Sequence, residues 1–362
     1  MKCLGRRISI VLPCAAMLAL ILDSKTALLG AQNGLGLCVR TVIPSLFPFF
    51  VISILLTDAL SGSQIPFLKP LSKFCKMPKG AENLLIVGLL GGYPVGAKCV
   101  YDTWRAGHIT QKDAQRCLGF CSNAGPAFIF GICGMLFSDR WVAWALWGIH
   151  VLSALLVGNL LPAQGEFASC TGYHSKTSLP QAVIKAIAAM SGVCGWVVLF
   201  RVLISFAERW FLWLVPLNWR IMIEGILELA NGCTDLMAVQ NEGTRFVLCA
   251  SFLGLGGLCV GLQTLSVVGA LGSGMYFPGK VLQCAISCCM AALFASFKYR
   301  LCSPLLPATA TIMLLFFIGL KKTVAFPRRL VYNVTKDRMG GLRCYSEREL
   351  QNPAVIVPVE PK

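Results

Sequence analysis

GGYPVGAK, residues 91 to 98, sets two adjacent glycines, a proline, a third glycine and a lysine into a run otherwise apolar enough to enter a bilayer. Glycine and proline break helices there, and lipid does not tolerate loose backbone: an unpaired N–H or C=O in hydrocarbon costs several kcal/mol. Non-helical chain at membrane depth persists only where protein buries it or where it lines a watery cavity. The stretch therefore reads as part of a binding site.

The rest of the chain supplies the membrane context. Hydrophobic residues make up 56% of 362 positions and charged residues 13%, against roughly 25% charged in soluble domains. A span needs ~20 mostly apolar residues. About eight candidates follow: 8 to 22, 42 to 60, 117 to 137, 141 to 162, 183 to 206, 246 to 265, 279 to 297 and 304 to 320. The net charge of +16 fits the positive-inside rule and not a nucleic-acid footprint. With both termini cytoplasmic, Lys2, Arg6, Arg7, Lys69, Lys73, Lys76, Lys79, Arg105, Lys112, Arg116 and the tail lie inside. The basic start and short apolar run of the first segment also suit a signal peptide. No small-x-small site closely follows it, so a retained span is expected.

Five regions follow: an N-terminal span and loop (1–34), a first repeat (35–163), a polar central loop (164–181), a second repeat (182–320) and a basic cytoplasmic tail (321–362). The first repeat carries breaks at 91–96 and at CSNAGP, 121–126. The second carries ELANG, 228–232, and the glycine-rich run GLGGLCVG, 254–261. The parallel order suggests two re-entrant or broken-helix segments in an inverted repeat, the architecture of many secondary transporters, whose half-helices meet near the midplane. The tail's Lys321, Lys322, Arg328 and Arg329 suit contact with anionic lipid.

Several residues in these breaks have a chemical and a structural reading. Lys98, with the N–H groups freed near Gly92 and Gly96, suits an anion; equally, it snorkels to the interface. Tyr93, beside Pro94, offers a ring and a hydroxyl, or anchors the interface. Asn123, before Gly125 and Pro126, contacts a ligand or satisfies the carbonyl that Pro126 leaves unpaired. Glu228, beside Asn231 and Gly232, is an intramembrane acid and so a functional candidate: it holds a coupling proton or Na⁺, or pairs with a base. Glu224 shares its helix face and is interfacial or functional. Arg201 and Gln263 suit helix ends, although Gln263 has a route to the cavity.

Enzymatic signals are lacking. His108, His150 and His174 join no nucleophile, and Lys98 precedes Cys99 where a phosphate-binding loop needs Ser or Thr. The 18 cysteines show no metal-ligand spacing, so neither a metal, another cofactor nor a disulfide framework is expected.

GGYPVGAK followed by TWRAGHITQKDAQRCLGF and CSNAGPAFIFG resembles the sporulation integral membrane proteins of the YlbJ type, in the nucleoside-recognition or Gate domain family. The resemblance implies an all-α bundle with re-entrant hairpins, similar to concentrative nucleoside transporters, in the forespore-surrounding membrane of a spore-forming bacterium. It further implies transport of the spore dianion dipicolinate. The family's motif positions fall on Gly92, Tyr93, Pro94, Gly96, Ala97, Lys98, Asn123, Gly125 and Pro126, and on Glu228 and Gly232. Gly91 stands where the family often has serine. The expected function is secondary transport of a small organic anion with a proton or Na⁺ as coupling ion, and a homo-oligomer is compatible with it. Nucleoside permeation and a non-transporting scaffold for spore-envelope assembly are the alternatives.

Overall fold

The computed structural model describes residues 2–60, 68–78, 81–163 and 177–299. Among them the chain is helical throughout, without strands. Helix α1 (Lys2–Leu22) leads into α2 (Ser24–Leu37), which runs through one π turn at Cys38–Val42 into α3 (Ile43–Leu60). Pro44 has no N–H to give the carbonyl one turn back, and the widened turn sits at that gap. Two short helices, α4 (Lys69–Phe74) and α5 (Glu82–Leu90), precede α6 (Val95–Arg105), α7 (Gln111–Cys117) and α8 (Pro126–Gly131). Then come α9 (Trp141–Leu160), α10 (Leu179–Trp210), α11 (Leu217–Leu227) and α12 (Leu229–Asp235). The last three are α13 (Glu242–Leu255), α14 (Gly257–Val268) and α15 (Tyr276–Lys298).

Five stretches among the described residues are long and apolar enough to cross a membrane: Ser24–Leu56, Trp141–Leu160, Leu179–Trp210, Glu242–Leu271 and Tyr276–Lys298. That is the build of a multi-pass membrane protein. Local signals start α10: it opens with a capping box of Ser178 and Gln181 and with Pro180 in its first turn, which occupies N–H groups that have no intrahelical partner. α10 packs along α2 and α3, while α13 packs along α15 and α9. The outer faces carry exposed Ile184, Ile187, Leu199 and Leu203. Trp210, Trp213 and Trp219, in the stretch from the end of α10 to the start of α11, are exposed; tryptophan collects at the headgroup level of membranes.

Three of the expected spans differ. The 8 to 22 candidate falls in α1, whose apolar part, Pro13–Leu22, is too short to count among the five. Residues 117 to 137 do not form one helix: α7 ends at Cys117, an irregular segment follows to Gly125, and α8 is only six residues long. Ser122–Pro126 removes a donor and disfavours helix before the proline. The 246 to 265 span divides at Gly256 and Gly257, both left-handed at φ +76° and +78°, where glycine ends α13 without steric cost. The candidate span 304 to 320, the loop core 164–176 and the tail 321–362 lie outside the described residues.

Each half of the chain contains a helical hairpin followed by an interrupted helix. α5 and α6 form the first hairpin, with α7 and α8 after it; α11 and α12 form the second, with α13 and α14 after it. Glycines set how closely the arms approach. A Cβ on Gly232 would lie 2.1 Å from Gly225 Cα, and one on Gly96 would lie 2.2 Å from the Cys121 carbonyl oxygen. Cys121 is thereby wedged into the first hairpin, which brings the 121–125 segment against it.

Candidate functional site

The four interruptions meet. A Cβ on Gly125 would lie 3.0 Å from Gly92 Cα, one on Gly256 would lie 3.0 Å from Tyr93 Oη, and one on Gly257 would lie 3.2 Å from the Ile226 carbonyl oxygen. Between them is a cavity of about 50 Å³, room for one or two water molecules at ~30 Å³ each. Gly91, Gly92, Tyr93, Ala124, Gly125, Glu228, Leu229, Ala230, Val260 and Gln263 line it, closed on the other side by Phe50, Val193 and Val197. A larger recess of about 580 Å³ lies next to it and shares Val193 and Gln263. Asp58, Pro94, Lys98, Asp102 and Lys185 line that recess.

Of the residues singled out in the sequence, Gly92, Tyr93, Gly125 and Glu228 line the cavity. Pro94 and Lys98 line the recess. Lys98 is half exposed, ion-paired with Asp102 one turn on, and 5.7 Å from the Tyr101 ring centroid. Gly96 and Gly232 serve the hairpin crossings, and Pro126 opens α8.

Glu228 is almost fully buried, and its carboxylate accepts from the Ala230 N–H at 3.1 Å, the Asn231 N–H at 2.7 Å and Asn231 Nδ2 at 2.7 Å. It is the N-cap of α12. The donors released by this break are therefore answered in the resting chain by the protein's own anion. Glu224, also buried, faces Arg220 at 3.8 Å and does not line the cavity.

Asn123 belongs to a buried polar network. Its Nδ2 donates to the Phe120 carbonyl at 2.7 Å, not to the Ser122 carbonyl one turn before Pro126, and its Oδ1 accepts from Lys280 Nζ at 3.2 Å and Gln283 Nε2 at 3.0 Å. Lys280 Nζ also donates to Gln283 Oε1 at 2.6 Å and stands 5.4 Å from the Tyr93 ring centroid. The Ala124 N–H, freed by the break, donates to His150 Nε2 at 3.1 Å. His150 is thus an acceptor for loose backbone and not part of a catalytic set. Tyr93 Oη, Ser122 Oγ and His150 Nδ1 are buried with no hydrogen-bond partner among the described residues.

Lys280 is the residue that the sequence concealed. Only 1% exposed, it forms no ion pair among the described residues; its contacts are amide oxygens and a ring face. A desolvated cation over an aromatic face gains ~2 kcal/mol or more, comparable to the ~2.5 to 3.5 kcal/mol cost of a lysine at the bilayer centre. The signal was available: an isolated lysine in an apolar run with Gln283 three residues on. Arg116 differs from its expected role as a loop charge. It is buried and donates to the carbonyls of Cys75, Lys76, Gly158 and Leu161, so it ties α7 to the end of α9.

The chain is similar to the sporulation integral membrane protein YlbJ of Bacillus subtilis (strain 168). The two are 31% identical over 135 residues, which is 36% of this chain and spans 31% of the relative's length. No family model matches the chain, and no solved structure does.

Proposed function

We propose that the chain is a secondary transporter of a small organic anion acting in spore formation, with dipicolinate as the substrate to test first. One observation carries the reading: four chain breaks from two similar hairpin-and-broken-helix units converge on one cavity, beside a buried lysine that has no carboxylate partner among the described residues. Irregular backbone gathered deep in a membrane protein is the recurring ground plan of transporter sites. The similarity to a sporulation membrane protein supports the setting.

In this scheme an anion enters the recess, where Lys98 and Lys185 stand beside Asp102 and Asp58, and passes the Val193 and Gln263 boundary. At the crossing of the breaks Lys280, through Tyr93 and Asn123, supplies the countercharge. A ring with two carboxylates is several times larger than the present cavity, so passage requires the hairpins to part, as in rocking of one unit against the other. Glu228 holds the α12 terminus and, on taking up a proton, releases the Ala230 and Asn231 donors; this gives a route to proton coupling.

Uptake of labelled dipicolinate into proteoliposomes, with and without a pH or Na⁺ gradient, tests the proposal. Saturable uptake that a gradient enhances supports it. Uptake equal to empty liposomes overturns it, and preferential competition by uridine reassigns the site to a nucleoside. A chain lacking residues 330 to 362 keeps uptake on this reading, whereas a scaffold acting through its basic tail loses its partner.

A further inference from the structure

Cys133, Cys233 and Cys249 lie a hundred residues or more apart or on separate helices, yet the fold brings their sulfurs together. Cys133 lies in the turn after α8, Cys233 on α12 and Cys249 on α13; all three are fully buried. The Sγ atoms of Cys133 and Cys233 are 3.9 Å apart, and all three lie within 4.8 Å of one another. No fourth His, Cys, Asp or Glu joins the group among the described residues.

Buried cysteine usually fills space as a small apolar residue, and two of these thiols alone would say no more. Three from different elements pointing at one centre say something narrower. Sulfurs arranged in a triangle around a metal at ~2.3 Å stand about 4.0 Å apart, close to the observed spacing, so little movement is required. Zinc is held by four ligands in tetrahedral sites of this donor type. Soft sulfur donors suit Cu(I), zinc and iron–sulfur clusters, and three of them without a fourth ligand suit Cu(I) best. The apolar surroundings, including Phe246 and Leu236, favour a complex without net charge, which Cu(I) reaches with one thiolate and two neutral thiols.

We propose that Cys133, Cys233 and Cys249 form a three-sulfur binding site for a soft monovalent cation, Cu(I). The site is independent of the transport reading. Binding displaces one thiol proton, so that one thiolate and two neutral thiols hold the ion without net charge, and no electron is transferred. Cys233 stands one turn along α12 from Ala230, which lines the cavity, so the cavity side of α12 gives the ion a way in. Because the ion links α12 to α13 and to the end of the α8 segment, its binding stabilises the closed hairpin.

The test uses the full-length protein in detergent, reduced under nitrogen and titrated with Cu(I) against the chelator bathocuproine disulfonate. The expected result is one Cu(I) per chain retained against the chelator, with three sulfurs at ~2.3 Å by X-ray absorption, and a rise in melting temperature. Cys249→Ala and Cys133→Ala should each lower the affinity at least tenfold, while Cys288→Ala leaves it unchanged. If a variant fails to fold, protection of the three thiols from maleimide by Cu(I), read by peptide mass mapping of the wild-type chain, gives the same answer. Retention unaffected by either variant, no retention, preference for Zn²⁺ at equal competition, or a Cys133–Cys233 disulfide in the purified chain overturns the proposal.

Discussion

At the level of single residues, burial and partners sort the cations into different duties. Lys98 is half exposed and paired with Asp102, and exposed pairs contribute ~0.2 to 1 kcal/mol. Lys98→Ala should leave the melting temperature in detergent nearly unchanged and raise the apparent KM for uptake less than about fivefold, as seen in initial rates across substrate concentration. Arg116 is different, because four carbonyls lose their donor when it is removed. Hydrogen bonds to charged groups contribute ~1.5 to 3 kcal/mol each, so Arg116→Ala should destabilise on the order of 3 kcal/mol, measurable as a lower melting temperature and poor yield. Glu228→Gln retains one acceptor oxygen for the α12 terminus and should cost about 1 kcal/mol, yet abolish the enhancement of uptake by a pH gradient. Uptake that still follows the gradient in this variant would reduce Glu228 to a helix cap.

The helices and their interruptions show what a sequence does and does not disclose. The interruptions expected at 91–96, 121–126, 228–232 and 254–261 each contain a real one, because proline and glycine act locally and lipid magnifies the effect, but the non-helical chain is 91–94, 118–125, Glu228 alone and Gly256 alone. The continuity of 117 to 137 was misread, since apolar composition measures partition into lipid and not whether the chain runs straight. Lys280 and the three cysteines escaped because their importance comes from neighbours more than a hundred residues away in several cases. Close approach is an element-scale property with its own test. Gly232→Ala places a Cβ 2.1 Å from Gly225 Cα, and overpacking costs typically ~1 to 3 kcal/mol, so the second hairpin should splay and uptake fall sharply while the long helices still insert. At the protein surface, Asp139 before α9 is held below the usual aspartate range by its hydrogen bond and charge attraction to Lys298 at the end of α15. A lowered carboxyl contributes above its unfolded value and loses the contribution as pH falls through the folded one. That tie should open only in strong acid, not near neutrality, as followed by Trp141 fluorescence, since Lys298 lies 4.8 Å from that ring.

Across the whole molecule, long lipid-facing helices surround short helices whose ends do not close on themselves. The peptide groups at those ends are answered in part by Glu228, His150 and Asn123, while Tyr93 Oη faces a small cavity without a partner. A resting site that is nearly self-satisfied suits a transporter, which must release its solute as readily as it takes it up. The countercharge from Lys280 is the feature this account relies on most. The decisive measurement is the initial rate of labelled dipicolinate uptake into proteoliposomes containing equal amounts of inserted wild-type protein or Lys280→Gln. Loss of one charge-assisted contact, ~1.5 to 3 kcal/mol, predicts saturable uptake by the wild type and a rate at least about tenfold lower in the variant. Equal rates in the two, or no uptake by the wild type, would contradict it.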